Sequence, residues 1–163
     1  MKDLKRAVAA DRERVEEFQH AAYARTEAVI DGPAIPLAWD YGEIMRECEV
    51  WLDERDGILA GVLILRPREQ DLFLESIATN PAKSGLGIGA ALMQATLDRA
   101  RSLGLEAIAL ITNSRNPAAK WYRNVGFTVD FEEVQENRKV LHMSLKMKGT
   151  PGDTKGDDDD GTA

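Results

Sequence analysis

Cysteine is almost missing from this 163-residue chain, which holds only Cys48. A lone cysteine makes no intramolecular disulfide and no cysteine-based zinc site. Histidine is nearly as scarce. His20 and His142 lie too far apart for a metal-ligand spacing, so no metal is expected. No apolar run approaches the ~18 residues a membrane helix requires, so no membrane partner is expected. Positive charge is in deficit, with 21 Lys and Arg against 28 Asp and Glu and a net charge of −7. Non-specific nucleic-acid binding needs a basic face to neutralise phosphates, so nucleic acid is excluded as a partner. A small basic pocket in an acidic body is still allowed. The opening Met1-Lys2-Asp3-Leu4-Lys5-Arg6 has no apolar core of a secretory signal, and a reducing cytoplasm is the expected location.

What is present suits one globular domain: 44% hydrophobic and 30% charged residues over a domain-sized length. That domain is expected over residues 1–147. Residues 148–163 have no large apolar side chain and include Asp157 to Asp160, so they are expected to form a disordered acidic tail.

The body alternates strand and helix patterns. A strand is expected at Leu4–Val8, then a helix from an Asp11 cap to about Val29, with Val15, Phe18 and Ala22 on its inner side. Residues 31–40 form a loop broken by Pro and Gly, and a short helix follows at Tyr41–Cys48. Glu49–Glu54 and Ile58–Arg66 read as a hairpin turning at Arg55-Asp56-Gly57. Leu72–Thr79 is a third strand, Gly87–Leu103 a helix ended by Gly104, and Glu106–Ile111 a strand. Pro117–Val125 is a short helix ended by Gly126, and Phe127–Glu132 and Val140–Met147 are closing strands. The central strand–helix–strand unit implies a parallel pair with a right-handed crossover, and the hairpins make the sheet mixed. The class is α/β (α+β), with about six to seven strands and flanking helices.

The most informative segment runs from Ser76 to Ala90. A strand leads into a turn with glycines at alternate positions, Gly85, Gly87 and Gly89, and a helix then opens. Glycines allow positive φ and close approach of the backbone to a ligand. The first-turn N–H groups of a helix have no internal partner and lie at its positive end, which suits a diphosphate. A P-loop is excluded because no Gly-Lys-Ser/Thr follows. The dinucleotide-binding fingerprint has a different glycine spacing and belongs to a first strand.

Two blocks, in order and suitably separated, carry a family resemblance. Ser84-Gly85-Leu86-Gly87-Ile88-Gly89 fits the pattern [Q/R]-x-x-G-x-[G/A], with Ser84 at the first place and Lys83 beside it. Asn116-Pro117-Ala118-Ala119-Lys120-Trp121-Tyr122-Arg123-Asn124-Val125-Gly126-Phe127 fits N-x-x-A-x-x-[F/L]-Y-x-x-x-G-F, one residue short between Asn and Tyr, so Arg115 falls at the usual Asn place. On these residues the chain resembles the GNAT family of N-acetyltransferases over about residues 4–147.

The resemblance implies an acetyl-CoA-dependent transferase acting on a primary amine of a small molecule or peptide, by direct attack in a ternary complex. Two parallel strands, here Leu72–Thr79 and Glu106–Ile111, should splay to admit the pantetheine arm. The backbone of Ile77, Ala78 and Thr79 should hydrogen-bond that arm as an added strand does. The segment Ser84, Gly85, Leu86, Gly87, Ile88, Gly89 and Ala90 should hold the diphosphate through N–H groups. Asn116 is a candidate for the pantetheine arm; as a helix cap before Pro117 it has an equally ordinary role, and Ser114 is another cap candidate. Attack requires a neutral amine and therefore a base. Glu75 interrupts an apolar strand, where a carboxylate is costly unless it is paired or functional, so it is the candidate base. It reads as sharing a strand face with Phe73, Ile77 and Thr79. The alternative is a structural carboxylate paired with an Arg. Tyr122 matches the family's tyrosine beside the CoA sulfur and is the candidate acid; the alternative is a core tyrosine.

The acceptor pocket is expected in the first helices and the loop holding Ile35, Leu37, Trp39, Asp40, Tyr41 and Glu43. The acidic body favours a cationic acceptor by steering. Cys48 lies outside both blocks, so no acyl-cysteine intermediate is expected. A homodimer through the closing strands is a further expectation. The rival readings are a non-catalytic acyl-CoA sensor on the same fold and an unrelated nucleotide-binding module.

Overall fold

A computed structural model describes residue 1, residues 3–30, residue 32 and residues 34–148. The tail expected at 148–163 lies outside the described residues from residue 149 onward. One seven-stranded sheet has the order β1-β2-β3-β4-β5-β7-β6. Its strands are β1 (Lys5–Arg6), β2 (Glu49–Arg55), β3 (Ile58–Pro67), β4 (Asp71–Thr79), β5 (Ala107–Asn113), β6 (Thr128–Gln135) and β7 (Arg138–Lys146). Among the described residues only β4 and β5 pair in parallel; the other neighbours are antiparallel. Helices α1 (Arg12–Ile30) and α2 (Tyr41–Glu47) cover one face, and α3 (Ile88–Ser102) and α4 (Ala118–Val125) the other. The expected mixed α/β sheet is thus present, with seven strands.

Local chemistry sets the element ends. Asp56 and Gly57, both at positive φ (53° and 74°), make the tight β2–β3 turn that matches strand twist. Asp40 Oδ1 accepts the N–H groups of Gly42 and Glu43 at 2.9 and 3.2 Å and caps α2. Gly126, at φ 125°, ends α4 with its N–H on the carbonyls of Tyr122 and Arg123.

Two apolar layers sandwich the sheet. Leu63, Leu65, Leu72, Leu92, Ile108 and Met143 fill the α3/α4 side. Val15, Tyr41, Ile44, Leu52, Val62 and Ile64 fill the α1/α2 side. Fully burying each such side chain contributes about 1.5–3 kcal/mol. On α1 the inward stripe is Val15, Gln19, Tyr23, Thr26 and Ile30, one residue round from the expected Val15, Phe18 and Ala22. Asp11 Oδ2 accepts the Val8 N–H at 2.8 Å and so secures the approach to α1 rather than its first turn.

A bulge in β4 decides which of its side chains share a face. The β3–β4 register passes from Ile64↔Ser76 to Leu65↔Leu74, leaving Glu75 as an extra residue. Leu72 and Leu74 pack on the α3 side, yet Ser76 bonds to α1. The bulge therefore reverses the alternation. Glu75 lies on the α1/α2 side with Phe73, while Ile77 and Thr79 face α3, which corrects the expectation that these four share one face.

Candidate active site

Ladder pairing between β4 and β5 stops after Phe73↔Ala109. From there Leu74–Thr79 and Leu110–Asn113 part, while β5 stays paired to β7 as far as Asn113↔Val140. Among the described residues no strand takes up the β5-facing edge of β4 beyond Phe73, so this edge is a template for hydrogen bonding by an extended ligand.

Three cavities line the parting. The first, about 390 Å³, lies on the α3/α4 side and is bordered by Ile77, Thr79, Gly89, Pro117, Trp121 and Tyr122. The second, about 340 Å³, runs between α1 and α4 past Tyr23, Arg25, Ala78 and Asn116. The third, about 240 Å³, opens on the α1/α2 side against Tyr23, Trp39, Phe73, Glu75 and Ser76. Tyr122 borders all three.

The glycine segment forms at the first cavity. Gly85 and Gly87 take positive φ, 82° and 70°, which an L side chain resists, and Gly87 becomes the residue before α3. The first α3 amide in the helical ladder is that of Ala91, which bonds Gly87 O at 2.9 Å, so the N–H groups of Ile88, Gly89 and Ala90 precede it. No acidic residue lies in that first turn. A Cβ on Gly89 would meet only Thr79 Cγ2 and Trp121 Cζ2, at 3.9 Å, so the glycine leaves space between helix and cleft. Ser84 and Leu86 are exposed. Ile88 offers only its backbone, because its side chain is buried against Gly61.

The remaining expected residues gather at the parting. Ile77, Ala78 and Thr79 border the second cavity, where the Thr79 carbonyl already accepts from Arg25 Nη2 at 3.2 Å. Asn116 Oδ1 accepts the Ala118 N–H at 2.9 Å, so its oxygen caps α4 and its amide nitrogen is left for the cleft. Ser114 instead bonds through its own N–H to Lys139 O. Glu75 Oε1 accepts from Arg66 Nε at 2.9 Å, and Arg66 Nη1 also reaches Glu47 Oε2 at 3.1 Å. The carboxylate is thereby both paired and placed in the third cavity with Tyr122.

Burial pushes the Tyr122 phenol above its ordinary range, reinforced by the neighbouring Tyr23. A raised phenol stays protonated at neutral pH. Burial likewise raises Tyr23, partly offset by Ser76, whose Oγ lies 2.7 Å from Tyr23 Oη. Gln19 Nε2 donates to the same Ser76 Oγ at 3.0 Å. Burial pushes the Cys48 thiol up to about 11, so it is a poor nucleophile. Tyr23, Ser76, Arg25 and Asn113 were not among the expected site residues. The four-residue spacing of Gln19 and Tyr23 after Val15 is the signal that marks the inner side of α1.

The arrangement offers an anion site, an extended arm-sized gap and a pocket with a carboxylate, joined at one protonated phenol. Comparisons with known proteins address the family and the fold. Residues 11–127 match the family model described as Acetyltransferase (GNAT) family. The chain is 34% identical over 110 residues to the mycothiol acetyltransferase of Sanguibacter keddieii, covering 57% of this chain and 34% of that one. It thus spans about a third of that curated relative's length. Among solved structures, the ribosomal-protein-S18-alanine N-acetyltransferase from Escherichia coli superposes with a TM-score of 0.74 at 17% identity, over 92% of this chain and 96% of that one. The PaiA N-acetyltransferase from Thermoplasma acidophilum, solved in complex with coenzyme A, gives 0.74 at 16% identity over 88% and 98%.

Proposed function

The chain belongs to the acetyltransferase (GNAT) family, and on that premise we propose that it transfers an acetyl group from acetyl-CoA to a primary amine of a small molecule or peptide. The observation that carries this reading is the position of Tyr122, which borders both cofactor-side cavities and the acceptor-side pocket where β4 and β5 part. The residues present fit acetyl-CoA: an acid-free first turn of α3, room at Gly89 and an unpaired strand edge. When bound, acetyl-CoA supplies an acyl group activated as a thioester.

The N–H groups from Gly85 to Ala90 hold the diphosphate, with Ser84 at the start of the turn. Ile77, Ala78 and Thr79 receive the pantetheine arm along their free edge, and the Asn116 amide donates to it. A backbone N–H near Ala78, on the open edge of β4, polarises the thioester carbonyl and steadies the oxyanion formed on attack. Glu75, anchored by Arg66, takes a proton from the incoming ammonium directly or through one water. The free amine attacks the carbonyl carbon, the carbon–sulfur bond breaks as Tyr122 Oη protonates the departing sulfur, and the surplus proton on the acylated nitrogen returns to the Tyr122 phenolate directly or through water. The high Cys48 pKa supports direct attack over an acyl-cysteine route. A cytoplasmic location, supported by the lone thiol Cys48, and a homodimer, supported by exposed Phe131 and Val134 on edge strand β6, complete the reading.

A thiol-release assay with acetyl-CoA over a panel of amines tests it, and acetylated product is the expected result. Tight CoA binding with no product from any amine would instead make the chain a non-catalytic acyl-CoA sensor.

A further inference from the structure

The acceptor-side pocket does not end at the sheet. It shares Ile30, Asn113 and Arg138 with a larger outer cavity of about 620 Å³, which reaches the β6–β7 turn. Arg138 and Arg115 both border that outer cavity. This local charge is opposite to that of the chain as a whole, whose net charge is −7.

The two guanidinium groups are also left without a carboxylate, as are those of Arg6, Arg25, Arg46 and Arg123 among the described residues, but only these two line the outer cavity together. Arg14, Arg55, Arg66, Arg68 and Arg99 each hold a carboxylate. Among the described residues, neither Arg115 nor Arg138 forms an ion pair, although acidic residues outnumber basic ones in the chain. Arg138 is oriented rather than loose: its Nε and Nη2 both donate to Gln135 Oε1, at 3.1 and 2.9 Å. Gln135 and Asn137 add neutral polar groups to the wall, and among the described residues Glu136 is its one carboxylate. A guanidinium fixed at its Nε edge, with Glu133 near enough to feel its charge but no carboxylate in ion-pair contact among the described residues, presents its remaining N–H groups to a ligand, and planar oxyanions suit that fork.

We propose that Arg138, assisted by Arg115, binds an anionic group, a carboxylate or a phosphate, at the far end of the acceptor, so that the substrate is an amine with an oxyanion tail. This rests on the transferase reading and names the substrate class of the same site. The reactive amine lies at the parting near Glu75, and the tail extends into the outer cavity past Asn113. The whole-chain acidity steers a cationic amine inward, while this basic spot selects among amines by their opposite end.

The test is calorimetric titration with matched alkylamines of graded length, ending in a carboxylate, a phosphate ester or a neutral carboxamide. Each is added both to CoA-free and to CoA-saturated protein. At the best length, an anionic member is expected to bind about tenfold more tightly than its carboxamide twin. Arg138→Gln should reduce that ratio to about threefold or less, Arg138→Lys should restore part of it, and Arg115→Gln should have a smaller effect. Which anion is preferred separates a carboxylate from a phosphate. Equal or tighter binding of the carboxamide, or a preference that survives in the Arg138→Gln/Arg115→Gln double variant, would overturn the proposal. Absence of CoA binding would overturn the transferase reading, while the CoA-free titrations still decide the anion preference.

Discussion

The two ends of the gap between β4 and β5 are built by different means. On the α3/α4 side the anion site is backbone: positive-φ Gly85 and Gly87, then the open amides of Ile88 to Ala90, all within six consecutive residues. On the α1/α2 side the pocket is side chains, with Tyr23 from α1, Trp39 from the loop before α2, Glu75 from β4 and Arg138 from β7. A backbone site tolerates almost any flanking side chain and so suits a ligand common to many proteins. A pocket assembled from four separate segments can be re-lined one residue at a time without touching the first. That division explains how one sheet can hold a shared cofactor and still select its own amine.

The largest expected effects come from the chemical side of this divide. Glu75→Gln should lower kcat by about 10²–10³-fold with acetyl-CoA affinity retained, read by initial rates alongside calorimetry. Arg66 still holds Glu47 in that variant, so the fold should persist. Tyr122→Phe should lower kcat by about 10²-fold, again with cofactor binding kept, since the ring still fills the junction. If either variant loses CoA binding instead, the two ends are not separable.

A pH profile sharpens the same point. Burial raises the Tyr122 phenol, so its proton is held to a higher pH than that of a free phenol, about 10. The wild-type kcat should therefore show no loss from this group between about pH 7 and 10, whereas an unperturbed phenol would begin to lose rate as pH approaches that value.

Smaller effects belong to two glycines, Gly61 of β3, which packs beneath α3, and Gly89 within α3 itself. At Gly61 an added Cβ would come within 2.8 Å of Ile88 Cγ2 and 2.9 Å of Leu92 Cδ1. Gly61→Ala should cost about 1–3 kcal/mol in denaturant unfolding and weaken CoA binding by displacing the α3 start. Gly89→Ala has room and lies in a helix, so it should leave stability unchanged or raise it by up to about 1 kcal/mol, with only a few-fold effect on CoA affinity.

The same divide governs how much could be read from the sequence. The hairpin at Asp56-Gly57, the crossover from β4 to β5 and the glycine turn all depend on neighbouring residues, and each appears in the fold where its local pattern puts it. Glu75 was visible as a charge in an apolar strand, but its side of the sheet was not. The bulge that turns it toward Arg66 arises from pairing with β3, and the alternation of Leu72 to Thr79 does not encode it. Tyr23 and Arg138 were illegible for a related reason. Each is an ordinary polar residue in its own element, and only the packing of α1 and β7 around the parting brings them to one pocket.

The central claim is that an acyl-CoA lies along the free edge of β4 with its diphosphate on the first turn of α3. Amide hydrogen exchange, followed with and without CoA, tests this most directly. The account predicts slowed exchange in Leu74–Thr79 and in Gly85–Ala90, with β2 unchanged. CoA that bound without protecting either segment would contradict it.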